Sequence, residues 1–420
     1  MEEEYDFELL EENVRLYKVY KMFAYDWVFF YAISVLFFSI TKGFSTSQIV
    51  YLSGFYTLAY CIFQVPANFF VKKIGLRKSM ILGNILSAIT ILVYIIAKEY
   101  NTFVIIQFIN GLSFALKGLS ESDLLCTTMK RLGNFEKFTK VEGSANAKYY
   151  FFDAFASVLS GFMFIFNQYL PVVLCLIVTI IALIQSFKFN DVKLDIDKKR
   201  HAIFTSINNF FKTLSSERLK SIYMLSFIFT GIIQVNITLY KSILMDIGMQ
   251  PQFIAILVGF YMIFAGIGSK EEFYFEKITK NKTLSIITIT YIICIGIIGG
   301  IGIINYFNLF TLSIMITCLS IMGFLHGMYK VALKKYTVSF TTSKIRTRIS
   351  SIGLMFEYAG TTIISFAVAL LLHDVGNSMG CVIVSVISLI VMFIVLKFMD
   401  GRLGLKPEEY KSKDINDIKL

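Results

Sequence analysis

The residues able to do chemistry are few, and most lie inside apolar sequence. FINGLSFALKGLSESDLLCTTMK carries Lys117, Glu121 and Asp123. Lys117 and Glu121 are four apart, share a helical face and can pair. Asp123 points elsewhere, so two acids and one base leave a residual negative charge. A substrate, a proton or Lys148 can meet it; a self-satisfied network that only fixes helix packing is the competing reading. VEGSANAKYYFFDAFASVLSGF adds Lys148 and Asp153, five apart and expected nearly on one face. FAYDWVFFYAI adds Asp26 among aromatic residues, expected within about two turns of a helix end. It reads either as a cavity carboxylate for protonation or cation contact, or as an interfacial acid near Trp27. Gln234, Asn236, His326 and Glu357 are the polar candidates of the second half, and Glu357 is its most buried-looking acid. His326 titrates near neutrality and can carry a proton, although an imidazole bonded between helices is the commoner case. An ionisable side chain at the centre of a bilayer is costly, so each must face a water-filled cavity or a partner.

That bilayer is implied by composition. The 420 residues are 56% hydrophobic and 16% aromatic, more apolar surface than a soluble domain can use. Hydropathy places twelve spans at 19–40, 48–70, 80–97, 103–126, 149–166, 171–187, 221–240, 253–268, 284–304, 310–328, 349–372 and 379–397. The fold class expected is an all-α membrane protein of twelve transmembrane helices in two six-helix bundles. Domain limits follow as 1–187, a linker 188–220, 221–398 and a tail 399–420. The acidic, amphipathic start is not a secretory signal, and the first span is expected to serve as uncleaved targeting signal.

Cations mark the topology. The turns after the even-numbered spans hold Lys72, Lys73, Arg77 and Lys78; Lys130, Arg131, Lys137 and Lys140; the long linker; Lys270, Lys277, Lys280 and Lys282; and Lys334, Lys335, Lys344, Arg346 and Arg348. The alternate turns hold little beyond Lys42, Lys98 and Lys241. The asymmetry puts the first set and both termini in the cytoplasm of a multi-pass protein of the cell membrane. In the linker, Ile203, Ile207, Phe210, Phe211 and Leu214 recur at helical spacing, as in an amphipathic helix on anionic headgroups. An offset of roughly 204 positions aligns the basic turns of the two halves, which implies a pseudo-twofold and a cavity between them.

Several functions are excluded or disfavoured. The net charge of +11 sits in short turns and suits topology rather than nucleic acid. The six cysteines form no C-x-x-C pair and the three histidines are scattered, so no metal site or cofactor is expected. No G-x-x-x-x-G-K-[ST] loop is present, so ATP is not the direct energy source. No polar catalytic cluster marks a membrane enzyme. Tyr31, Tyr56, Tyr60, Tyr149 and Tyr150 can line an aromatic substrate site, against a packing reading that helical spacing favours.

The turn after the second span reads PANFFVKKIGLRKSM. With the twelve spans and central basic linker it resembles the major facilitator superfamily over essentially the whole chain. The family turn runs roughly G-x-x-A-D-R-x-G-R-R/K; Lys73, Gly75, Arg77 and Lys78 keep its register, while Asn68 and Lys72 replace its leading Gly and its Asp. Gly43, Ser45 and Gln48 before the second span also look like bacterial permeases. The resemblance implies that the turn is a gating latch pinning span two on span eleven; the positive-inside rule alone explains its charges equally well. Gln107 stands where such permeases often carry Arg, and the Gly-Pro signature of antiporters is absent from span five.

The reading that follows is a monomeric secondary transporter, not an enzyme, moving a small molecule by alternating access with protons as the coupling ion. Efflux of an amphipathic, drug-like compound is slightly favoured over nutrient or metabolite uptake. A lipid flippase and a non-transporting sensor on the same fold are the alternatives.

Overall fold

The computed structural model describes residues 7–134, 137–192, 217–305, 308–339 and 346–400. The amphipathic linker helix expected at Ile203–Leu214 and the tail from residue 401 lie outside the described residues. The described elements are helices joined by short turns. We number the long ones α1 (Phe7–Ala24), α2 (Thr46–Ile74), α3 (Leu76–Ile96), α4 (Tyr100–Arg131), α5 (Phe138–Phe166), α6 (Leu170–Ser186), α7 (Glu217–Asp246), α8 (Pro251–Thr279), α9 (Thr283–Ile304), α10 (Leu309–Ser339), α11 (Arg346–Asp374) and α12 (Asn377–Met399). Ten of them are long and apolar enough to cross a membrane, and α6 is a shorter apolar helix. Only helices satisfy every backbone polar group from within the segment, so apolar sequence of this length resolves into helices.

The exception is α1. The first span, read as continuous over 19–40, starts at Phe7 and stops at Ala24. Irregular backbone follows, with Phe29 at φ 70°, before a short helical turn at Ser34–Leu36 runs into a π-helix at Phe37–Thr41. Because α1 begins earlier than expected, Asp26 lies just beyond its far end and not near the end where the span starts. Asn13 is hydrogen-bonded to Asn190 beyond the end of α6, and Ala24 lies about 16 Å further along by helical rise. The break therefore falls deep in the bundle. Spans five and eleven also begin earlier than their apolar cores, at Phe138 and Arg346.

The turns rich in Lys and Arg gather at one end of the bundle, here called the basic end. There Gly75 separates α2 from α3 at φ 93°, and a Cβ on it would lie 3.8 Å from the Asp191 carboxylate. Arg77 donates to the Phe187 carbonyl at the end of α6. These described contacts of the turn tie it to its own half of the chain.

At the far end Ser45 and Gln48 form a reciprocal capping box on α2, with Gly43 at φ 74° before them. Lys42 donates to the carbonyls of Ile95 and Ala97 and so satisfies the end of α3. The halves meet along α2 with α11 and α5 with α8. Ser47 donates to the Ala369 carbonyl at 2.7 Å, and the Thr57 and Thr362 hydroxyls are 2.9 Å apart. Small residues allow the approach: a Cβ on Gly161 would lie 2.4 Å from that of Ala255.

Candidate functional site

The break in α1 collects ionisable groups from both halves. Asp26 accepts a hydrogen bond from the backbone N–H of Trp27 at 2.7 Å, and the Trp27 indole donates to Ser87 on α3 at 2.9 Å. Together they anchor the chain where it leaves the helix. A helix end leaves carbonyls without partners, and inside a membrane these must find donors elsewhere. Two lysines supply them. Lys117 of α4 donates to the Ala24 carbonyl at 3.2 Å, with its ammonium 4.0 Å from the centre of the Phe114 ring. Lys241 of α7 donates to the Tyr31 carbonyl at 2.6 Å.

Lys117 therefore does not pair with Glu121, as the four-residue spacing predicted. Glu121 accepts instead from Lys21 at 2.7 Å and from the Tyr20 hydroxyl at 3.1 Å. Asn84 donates to that same hydroxyl at 2.9 Å. The tertiary partner wins because α1 packs on α4 here and brings an ammonium to 2.7 Å from Glu121, while Lys117 is turned to the Ala24 carbonyl. Asp123 is turned toward Lys72 and Lys130, away from Glu121 and from the break.

Asp153 on α5 is buried, and neither of its oxygens meets a donor at hydrogen-bonding geometry. Its charged neighbours are Asp26 and Lys241, and Tyr149 stands beside it one turn back. Lys148 does not share its face. Five residues turn a helix through about 500°, which leaves them roughly 140° apart. Lys148 is exposed while Asp153 points inward. Asp26 and Asp153 against Lys117 and Lys241 give a site with balanced charge.

Tyrosines cluster beside the break and across the interface between the halves. Tyr25 packs on Tyr149 with ring centres 4.4 Å apart, and Tyr150 lies 6.3 Å from Tyr25. Across the interface Tyr60 of α2 stacks on Tyr358 of α11 at 3.9 Å. Glu357, one residue before Tyr358, pairs with Lys330 of α10 at 2.7 Å. The Lys330 side chain is half-buried within α10.

The other polar candidates of the second half are bonded. Gln234 donates to Ser53 of α2 at 3.3 Å, across the halves, and Asn236 to the Tyr291 hydroxyl at 3.3 Å. His326 Nδ1 is 2.9 Å from the Tyr261 hydroxyl, the arrangement of an imidazole bonded between helices. Among the described residues no group of three His, Cys, Asp or Glu side chains is placed to hold a metal ion.

Four ionic residues of this region escaped the sequence reading. Lys241 and Lys330 fell just outside spans drawn to end at Tyr240 and Met328, and were read as turn cations or passed over. The helices continue to Asp246 and Ser339. Extending each span until its helical pattern stopped would have found them. Lys21 and Glu142 had no local signal, since their partners are a hundred or more residues away.

The sequence pattern of the Major Facilitator Superfamily matches residues 22–365. No curated protein sequence matches the chain. Among solved structures, a mutant of the nucleoside transporter NupG superposes with a TM-score of 0.75 at 10% identity, covering 93% of this chain and 100% of that one. The unmutated NupG gives 0.70 at 12% identity, covering 93% and 99%. A POT family transporter in complex with a thioalcohol-conjugated peptide gives 0.66 at 14% identity, covering 94% and 95%. At these identities the likeness is one of fold, and the matched sequence pattern spans most of the chain. The chain belongs to the major facilitator superfamily, as a membrane transporter of its twelve-helix, two-bundle fold.

Proposed function

We propose that the chain is a proton-coupled secondary transporter whose small-molecule substrate binds between the halves at the break in α1. Asp153 carries this reading. A buried carboxylate with no well-aligned hydrogen bond, only the Tyr149 hydroxyl beside it, is expensive when ionised, so it needs a proton or a cation partner. Asp26, partly exposed at the break, is the second acid on the same path. The groups facing Asp153 are Asp26 and Tyr31 from the α1 break, Lys241 and Tyr240 from α7, Cys175 from α6, and Tyr149 on its own helix. The basic end faces the cytoplasm on this reading, by the positive-inside rule.

For the substrate, tyrosine faces with hydroxyl edges suit an amphipathic molecule carrying a ring. Export of a drug-like compound is the direction the aromatic load favours. The balanced lysines and acids do not single out a cation, and this supports a second reading. In it the chain takes up a polar metabolite of the nucleoside or peptide kind named for its structural neighbours.

Proteoliposomes loaded with a pH-sensitive dye test the coupling. Amphipathic cations, antibiotics, nucleosides and short peptides are added with and without an imposed proton gradient. Substrate-dependent proton flux is expected, falling at least about tenfold in Asp153→Asn and Asp26→Asn. Flux that persists unchanged in both folded variants would remove the acids from the coupling path.

A further inference from the structure

Lys241 enters the first half of the molecule from the second. It is 0% exposed, its ammonium bonded at 2.6 Å to the Tyr31 carbonyl and 3.5 Å from the Ser34 hydroxyl. The same ammonium lies 4.2 Å from the centre of the Tyr31 ring. Asp26 and Asp153 are the two carboxylates acting on it. Two further observations separate this place from an ordinary capped helix end. Both oxygens of Asp153 are sealed from solvent without a well-aligned hydrogen bond, and so is the Tyr240 hydroxyl, next to Lys241 on α7. Tyr240 and Asp153 act on one another, so these orphaned oxygens share one locality. The ammonium thus touches a backbone carbonyl, a hydroxyl and a ring face, while the two carboxylates lie beyond ion-pair distance and leave the Asp153 oxygens open to a ligand.

Such a set of hard oxygen ligands at an unwound helix is what a small monovalent cation binds in other membrane folds. We infer that the break in α1 is a monovalent-cation site built on the Tyr31 carbonyl, Ser34 and the unpartnered Asp153 carboxylate beside them, and that the Lys241 ammonium fills its Tyr31–Ser34 side. The second half thereby carries the cation into the first half on a tether. A free alkali ion is not needed there while the lysine is in place. Removing the ammonium and leaving its volume empty should let sodium or methylammonium take its position.

The test is a melting curve on the purified full chain in detergent, which reads equilibrium binding and no transport. Failure of the proton-coupling reading therefore leaves this test intact, and the reverse also holds. Lys241→Ala is compared in sodium chloride, methylammonium chloride and N-methyl-D-glucamine chloride at equal ionic strength, which holds screening constant. Sodium or methylammonium is expected to raise its midpoint saturably, by about 1–2 °C at roughly ten times the dissociation constant. The wild type should not respond. Lys241→Met, which fills the space with an apolar chain, should not respond either. Nor should Lys241→Ala with Asp153→Asn, which has lost the open carboxylate beside the vacated space. A Lys241→Ala midpoint that is the same in all three salts overturns the inference, as does a response of equal size in the Asp153→Asn double variant. Lys241→Ser also vacates the site and is read in the same way if the alanine variant does not fold. Failure of both to fold in every salt would likewise overturn it, since a vacated cation site would be refilled.

Discussion

Lys334 on α10 lies 3.2 Å from Glu142 on α5, an ion pair that ties the second half to the first near the basic end. Glu142 also accepts from the Tyr17 hydroxyl at 2.7 Å, so the acid is held from both sides of the interface. The partners are unequal in exposure: 42% for the lysine side chain and 11% for the acid. Lys334→Ala should cost about 0–1 kcal/mol, as for a solvated pair. Glu142→Ala strands a buried hydroxyl as well and should cost roughly 1–3 kcal/mol. Thermal unfolding of the two variants compares them, and equal losses would show that Tyr17 contributes nothing to holding the acid.

The Lys21–Glu121 pair lies within the first half and is nearly sealed, with side-chain exposures of 10% and 3%. Glu121→Ala leaves a buried ammonium without its acid and should destabilise by about 3–5 kcal/mol. The double variant Lys21→Met with Glu121→Met should recover most of that loss, because a buried pair can be exchanged for apolar volume at little net cost. A double variant as unstable as Glu121→Ala would mean that Tyr20 and Asn84 need the carboxylate independently of the lysine.

Helices α8 and α10 approach as closely as glycine permits. A Cβ on Gly327 would sit 1.9 Å from the Ala265 carbonyl oxygen, whereas one on Gly300 of α9 meets nothing within 4 Å. Gly327→Ala must push two backbones apart and should cost at least about 1–3 kcal/mol, with loss of monodisperse protein on size-exclusion chromatography. Gly300→Ala should be neutral or stabilising by up to about 1 kcal/mol, through helix propensity alone. Similar behaviour of the two variants would contradict the close contact.

Gly75 adopts φ 93° and ψ 162°, a region open essentially to glycine only. Gly75→Ala should cost about 1–3 kcal/mol although its Cβ has room, its nearest neighbours being the Asp191 carboxylate oxygens at 3.8 Å. Gly143→Ala, inside α5 with nothing within 4 Å, is the matched control. A thermal midpoint for Gly75→Ala no lower than that of the control would show that the turn can relax.

Ser45, Gln48 and the four cations of the α2–α3 turn show how far local signals reach. The capping box needs only two residues three apart, and the turn needs only a glycine able to take positive φ. These residues stood out in the sequence by resemblance and charge, and the local structure they form needs only groups within one helical turn. Asp153 shows the limit. Its burial was legible, but its company was not: Lys148 looked like its partner by spacing, and Lys241 of α7 is the cation that reaches its locality.

The membrane spans, their order and the basic end follow from sequence alone. Apolar length forces a helix to satisfy its own backbone within the segment, and cation placement is additive along the chain. The break in α1 was decided only in the tertiary structure. Residues 25–33, YDWVFFYAI, contain no proline and no glycine to announce it. It stands because Lys117 and Lys241, 93 and 210 positions away from the carbonyls they serve, bring donors that a continuous helix would not need. Which lysine meets which carbonyl, and which acid is left without a donor, depends on how α4, α5 and α7 pack around α1, and no local pattern carries that information.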